Sequence, residues 1–254
     1  MAGSEVTSWH SAVESARFGL DIGRVVVGYD VTDAASADSR VSEELRSSTE
    51  DLLILRWPAH FTRLGAAVAH SDWLTFPADT LTYWEAAPSA LLMEGELEEG
   101  LEIVRSTTVS KATEEAIAAV LSDSFAAYGS HYSANPRLDA TQGLAGYIEW
   151  ACAAYRADPG NVILLHRASQ PIGVATMTGS DEDLEVELAG LTSAAQGQGL
   201  YPRLLAAVGQ VAAKEGFSRV IISTQVHNVR VQRAWVRAGM KPFAAVSTVH
   251  ALRR

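Results

Sequence analysis

Runs of aliphatic and β-branched residues bounded by turn residues alternate along this chain with stretches in which apolar positions recur every three or four residues. These are the two spacings of strands and amphipathic helices. In the first hundred residues the pattern predicts a strand at 24–29 (RVVVGY), a helix near 37–47 and a strand at 52–57 (LLILRW). Pro58 stands where a proline suits the first turn of a helix, which would run to about His70, and 73–84 (WLTFPADTLTYW) reads as extended. Further on, a strand at 101–107 leads to a helix in which Ile117, Val120, Leu121 and Phe125 share a face. A polar loop over 129–139 (GSHYSANPRLD) precedes a helix over 141–156. Strands follow at 161–166, 172–177 and 184–191. The stretch SAAQGQGLYPRLL opens a helix that runs to Glu215, where Gly216 with Phe217 behind it suits a left-handed cap. A strand at 219–224, a helix from Asn228 to Ala238 closed by Gly239 and Pro242, and final strands within 243–252 complete the pattern.

The pattern divides in two. Segment 88–100 carries four glutamates and two glycines and marks a boundary near residue 100, between a smaller α/β domain (1–100) and a second domain (101–254). A length of 254 residues suits one large or two modest domains. Apolar residues make up 48% and mean hydropathy is near zero, as in a globular protein with a sizeable core. No run approaches the ~20 apolar residues of a membrane span. The sequence MAGSEVTSWH lacks the basic-then-apolar order of a leader, so a cytoplasmic location is expected.

Charge narrows the partners. A net charge of −10 argues against a broad nucleic-acid or anionic-membrane surface. Of the 20 basic residues only three are lysines, so cationic contacts will mostly be planar guanidinium forks. Cys152 is the single cysteine, which leaves neither a disulfide framework nor a cysteine zinc site; it reads as a packing residue, and no metal is expected.

The candidate chemistry lies where strand 184–191 gives way to the next helix. The first amides of a helix lack carbonyl partners and its dipole makes that end positive. Gly197 and Gly199 let phosphate oxygens come close to those amides, so the segment reads as a diphosphate cradle. It is not a dinucleotide fingerprint, because Pro202 stands where the third glycine would be, and no lysine is near to make a P-loop.

Gln196-Gly197-Gln198-Gly199, taken with Asn228, Val231, Trp235, Gly239 and Met240 on the later helix, resembles the GNAT N-acetyltransferase superfamily over roughly 101–254. The resemblance implies a mixed, mostly antiparallel central sheet preceded by a smaller α/β domain, GNAT-like but without a catalytic motif. It also implies acetyl-CoA as co-substrate and, as a family prior, a homodimer. Gln196, Gly197, Gln198, Gly199, Leu200 and Tyr201 would form the pyrophosphate loop, with the Tyr201 ring turned away from the diphosphate. Ala189 and Leu191 would pair with pantetheine beside a bulge at Gly190, and Asn228 would face the cofactor arm. Arg230 and Arg233 are candidates for the ribose phosphate, or ordinary exposed arginines. Trp235 occupies the position of the family's tyrosine acid and lines the sulfur, packs the core, or does both. An indole cannot protonate a thiolate, and His227 or Tyr132 could take that part.

Acceptor residues are sought near the same crevice. Simple alternation puts Leu184, Val186 and Leu188 on one strand face and Glu185 and Glu187 on the other. Glu185 stands where some members of the superfamily carry a general base; both glutamates could instead solvate an open face. His131 and Tyr132 either grip an acceptor or lie on the surface. The first half, with ESARFGLDIGRVVV (14–27) and DLLILRWP (51–58), is similar to dTDP-fucosamine acetyltransferases. That points to an amino sugar, with or without a nucleotide, as the acceptor. Other small amines, or a non-catalytic acyl-CoA-binding module, remain as alternatives.

Overall fold

The computed structural model describes residues 6–28 and 31–254; Tyr29, the last residue of the first expected strand, lies outside them. The chain runs β1 (Val6–His10), α1 (Ala12–Phe18), β2 (Ile22–Val27), α2 (Ala34–Ser47), β3 (Leu52–Pro58), α3 (Thr62–Ala69), β4 (Leu74–Ala86), α4 (Pro88–Leu91), β5 (Leu101–Arg105) and α5 (Lys111–Ser124). It continues α6 (Ala140–Ala157), β6 (Val162–Arg167), β7 (Gln170–Ser180), β8 (Asp183–Leu191), α7 (Tyr201–Glu215), β9 (Arg219–Gln225), α8 (Val229–Arg237) and β10 (Lys241–Leu252). Two compact units result: Met1–Thr82 with Gly129–Gly143 and Ala244–Arg254, and Tyr83–Tyr128 with Leu144–Phe243.

In the first unit β1 pairs antiparallel with β2, β2 parallel with β3, and β3 antiparallel with β10. A parallel pair needs a crossover, which α2 supplies. That helix starts at Ala34, ahead of the expected 37, because the Asp33 carboxylate accepts from the Ala35 and Ser36 amides. Val25, Leu53, Leu55 and Trp57 pack against Val41, Leu45, Leu64 and Val68 on one side of the sheet. Ile22, Leu52 and Ile54 gather with Tyr132, Leu138 and Leu252 on the other.

Three expectations are corrected here. Pro58 ends β3 opposite Val246 instead of opening a helix; a strand end has no use for the missing N–H, and α3 begins only at Thr62. The final strands are one strand, β10, with Pro242 as its second residue. Segment 129–139 is not an outward polar loop. A single 3-10 turn at His131–Ala134 buries both His131 and Tyr132.

The reason is a buried polar network. Glu14, 4% exposed, accepts both forks of Arg24 at 2.6 Å and the Tyr132 hydroxyl at 2.6 Å. Burial alone would push the Glu14 carboxyl up; Arg24 and Tyr132 outweigh it and lower it from 4.5 to about 2. His131 Nδ1 lies 2.9 Å from His250 Nε2, and burial holds both imidazoles low, His250 at about 4.

In the second unit β5, β6, β7 and β8 pair antiparallel in sequence order and β9 joins β8 parallel, giving a mixed, mostly antiparallel sheet. Ile163, Leu165, Met177, Leu184, Val186 and Ile222 pack against Leu204, Leu205 and Val208 of α7. Val162, Leu164, Val174 and Leu188 pack against Ile117, Val120 and Leu121 of α5 and Ala151, Cys152 and Tyr155 of α6. Leu188 therefore does not share a face with Leu184 and Val186. Thr176 pairs with Leu188 and Met177 with Val186, so Glu187 is an extra residue, a bulge that inverts the alternation beyond it. The bulge is not at Gly190, which pairs regularly with Val174. Glycine is needed there because a Cβ would lie 2.6 Å from Ser124 Oγ and 3.1 Å from the Phe125 ring, where α5 ends against the strand. Among the described residues no helix is long and apolar enough to cross a membrane.

The depressed Glu14 carboxyl makes a definite claim. Its contribution to stability is complete above pH 4.5 and is lost as pH falls through about 2, a loss of about 3 kcal/mol. Glu14→Gln, which strands the Arg24 charge, should cost a similar ~3 kcal/mol in urea unfolding at pH 7. A variant as stable as the parent would show that the network is not what holds the 129–139 segment in.

Candidate active site

Strands β8 and β9 run side by side only from Asp183–Val186 against Arg219–Ile222. Arg219 closes that end: its Nε and Nη2 donate to the two Asp183 oxygens at 2.7 Å and its Nη1 to Glu85 at 2.9 Å, with its guanidinium over the Phe243 ring. Past the Glu187 bulge the two strands have no shared pairing among the described residues, so the backbone of Glu187–Leu191 is left without β9 as a neighbour. Ala189 and Leu191 lie on this open stretch, with Leu191 buried in the core and Ala189 packed against it.

The chain then turns back on Thr192, whose carbonyl accepts from the Ala195 and Gln196 amides, and reaches two left-handed glycines, Gly197 (φ 78°) and Gly199 (φ 74°). Among the described residues, the amides of Gly197, Gln198, Gly199, Leu200 and Tyr201 find no acceptor. The Leu200 side chain is buried and anchors the start of α7; its carbonyl accepts from the Arg203 and Leu204 amides. A Cβ on Gly199 would meet nothing within 4 Å, and one on Gly197 only Arg230 Nη2 at 3.8 Å. The row of free donors is open outward, the arrangement that suits a polyanion at a helix start.

Two arginines hold this loop. Arg167, at the end of β6, donates to the Gln198 side-chain oxygen at 2.6 Å, while the Gln198 side-chain nitrogen Nε2 donates to the Ala194 carbonyl at 2.6 Å. Arg230, on the first turn of α8, donates to the Gln196 side-chain oxygen at 3.1 Å, and the Gln196 side-chain nitrogen Nε2 donates to the Leu191 carbonyl at 3.1 Å. Arg167 escaped the sequence reading, since nothing near it in sequence points to a loop thirty residues on. Arg233 is exposed on α8.

Tyr201 does turn inward. Its hydroxyl accepts from Trp235 Nε1 at 3.2 Å, and burial pushes the phenol up to about 12. Trp235 is 1% exposed and lies against Trp84, ring centroids 5.9 Å apart and 60° between planes. Its single N–H is thus committed to Tyr201 within the core. Asn228 begins α8 and donates to Thr224 Oγ1 at 3.0 Å, while His227 is exposed in the preceding turn. Glu185 and Glu187 are half-buried. Burial raises both carboxyls; neighbouring carboxylates push Glu185 further, and a hydrogen bond with Thr178 partly offsets the rise at Glu187. The second unit thus carries the loop, the open strand, Asn228, His227, Trp235 and both glutamates, whereas His131 and Tyr132 belong to the first unit.

Residues 107–241 match the family described as acetyltransferase (GNAT) domain. Comparison with curated proteins finds no match. Among solved structures, a GCN5-related N-acetyltransferase from Sphaerobacter thermophilus aligns at TM-score 0.65 and 15% identity, over 98% of this chain and 76% of that one. A functionally unknown conserved protein from Staphylococcus epidermidis aligns at 0.63 and 13%, over 99% and 92%. A tandem GNAT protein from the clavulanic acid biosynthesis pathway aligns at 0.58 and 11%, over 92% and 75%. At these identities the structural likeness speaks for the fold.

Substituting Gly199→Val forces a branched side chain to φ 74° without touching the core, so folding should persist. Acetyl-CoA affinity measured by calorimetry should fall at least about tenfold; unchanged affinity would remove the loop from the binding site. With the family match spanning more than half of the chain, the chain belongs to the GNAT acetyltransferases.

Proposed function

We propose that the protein transfers an acetyl group from acetyl-CoA to the primary amine of an amino sugar, free or nucleotide-linked, by direct attack. The observation that carries the transfer is the row of amides from Gly197 to Tyr201 without an acceptor among the described residues, together with the stretch of β8 that has no pairing with β9. The sugar rests on the similarity of 14–27 and 51–58 to dTDP-fucosamine acetyltransferases. On this reading residues 101–254 hold the transfer machinery and 1–100 form the accompanying domain.

The roles follow from the chemistry of the groups. The loop amides, with Gln196 and Gln198 held by arginine, bind the diphosphate, and Arg233 serves the ribose phosphate. The open edge at Ala189 and Leu191 aligns the pantetheine arm with Asn228. The acceptor arrives as an ammonium and must lose a proton before its lone pair can attack. Glu185, whose carboxyl burial raises, takes that proton, and Glu187 orients the acceptor. The amine nitrogen bonds to the acyl carbon, the carbon–sulfur bond breaks with its electron pair leaving on sulfur, and the nitrogen gives up its second proton to water as the amide forms. A thiol of pKa about 8.5 is a tolerable leaving group as the anion, so no strong acid is required. Trp235 forms the wall behind the sulfur; His227 is the candidate to deliver the last proton.

Release of free thiol from acetyl-CoA, followed against amino sugars, dTDP-amino sugars and other small amines, tests the reading. Turnover with amino sugars and little with the other amines is expected. Cofactor uptake with no thiol release for any amine would leave a binding module instead. Glu185→Gln should lower kcat at least about a hundredfold. In the parent, kcat should fall at low pH as Glu185 becomes protonated, with a midpoint above an ordinary glutamate's. A Glu185→Gln enzyme with the parent's kcat and profile would take the base away from this residue.

A further inference from the structure

The turn between β6 and β7 is strained, and the residue it fixes is Arg167. Ala168 and Ser169 alone join the two strands, and both have positive φ, 48° and 66°. A two-residue turn of that kind favours Asn-Gly, and residues with a Cβ adopt it at a cost. Such strain persists where the surrounding structure holds it, and it gathers at functional sites. Here the Ala168 amide donates to the Gly100 carbonyl at 2.8 Å. Arg167, just before the turn, is paired with Leu101 of β5 on one side and Gln170 of β7 on the other.

Alternation along β6 puts Arg167 on the face of Ile163 and Leu165, the face that packs against α7. Its aliphatic stem continues that apolar face, and the half-buried side chain ends at the loop that opens α7, where Nη1 donates to Gln198 Oε1 at 2.6 Å. The hairpin is tied to the same region through its backbone. Ile172, an extra residue of β7 opposite Leu165 and His166, accepts from the Thr192 amide at 2.9 Å.

Most of the guanidinium has nothing to bind. Among the described residues Arg167 Nε and Nη2 have no acceptor, and no carboxylate pairs with this arginine in a chain with 30 acidic residues. Five amides of the adjoining loop, Gly197 to Tyr201, also lack an acceptor. We propose that Arg167 binds the acetyl-CoA diphosphate directly, through the nitrogens that Gln198 leaves open, beside the loop amides. This role rests on the reading of the loop as the diphosphate cradle and adds to it a side chain from outside both sequence motifs. A helix start presents only about half an elementary charge to a dianion. Arg167 supplies a whole one, on a planar fork that can keep one nitrogen on the loop and turn the others to phosphate oxygens.

Calorimetry on the whole chain tests this with three probes: acetyl-CoA, acetyl-dephospho-CoA, which keeps the diphosphate but lacks the ribose phosphate, and acetyl-pantetheine, which lacks both. Arg167→Gln should weaken acetyl-CoA and acetyl-dephospho-CoA by the same factor, at least about tenfold, and leave acetyl-pantetheine unaffected. Gln198→Ala removes the brace but keeps the charge, and should lose far less. Matching thermal unfolding curves confirm that both variants fold. A loss confined to acetyl-CoA would move Arg167 to the ribose phosphate. An equal loss in Gln198→Ala, or one shared by acetyl-pantetheine, would reduce it to a support for the loop. Unchanged affinity would take it out of the site, and each of these results overturns the proposal. A parent protein that takes up no acetyl-CoA would instead sink the diphosphate reading itself, and this role with it.

Discussion

The second unit depends on how two parallel strands are joined at one end and parted at the other. Arg219 gives both its outer nitrogens and its Nε to Asp183 and Glu85, and its guanidinium stacks over Phe243. Such a fork locks the first residues of β8 and β9 in register. One strand then takes on an extra residue at Glu187 while its neighbour does not. A bulged strand bends and twists more than a regular one, and beyond this point β8 leaves β9. Between Glu187 and Leu191 the strand keeps β7 on one side but has no pairing with β9 on the other, and such an edge is tolerable only where water or a ligand can reach it, because a buried peptide group without a partner is costly. The crevice therefore follows from a single inserted residue and a clamp below it.

Everything that follows along the chain is arranged around that parting. Gly197 and Gly199 take left-handed conformations in a stretch where five successive amides find no acceptor among the described residues, and Arg167 and Arg230 draw in Gln198 and Gln196. The side chains of Gln196 and Gln198 each bond backward to a carbonyl and outward to an arginine. The loop is thus braced from two separate elements before any ligand arrives, which lowers the ordering cost of binding. Behind it, the Trp235–Tyr201 hydrogen bond and the Trp84 ring tie α7 and α8 to the same core.

Much of this could be read from the sequence, and what could not has identifiable causes. Glycines two apart before an apolar helix, and a helix start at Asn228, announce themselves locally. So do the helices ending at Gly216 and Gly239, which require positive φ. Pro58 misled because a proline suits a strand end as well as a helix start, and only its partner Val246 decides. The Glu187 bulge was invisible because alternation looks perfect until the neighbouring strand shows two residues facing one. His131 and Tyr132 sit in a stretch as polar as any surface loop; their burial is explained by Glu14 and His250, each more than a hundred residues distant in sequence. Arg167 and Arg219 likewise gain meaning only from partners that folding brings to them.

The path of β10 has a further consequence. The strand begins in one compact unit and finishes in the other, where Val246–Leu252 complete the ladder on β3. Roughly two hundred residues separate those partners, and a contact of such long range closes late, after the loop entropy of everything between has been met. During synthesis on the ribosome, β3 must wait with one edge bare while the whole of the other unit is made. The interval in which that aliphatic edge can find a wrong neighbour is set by the pace of translation.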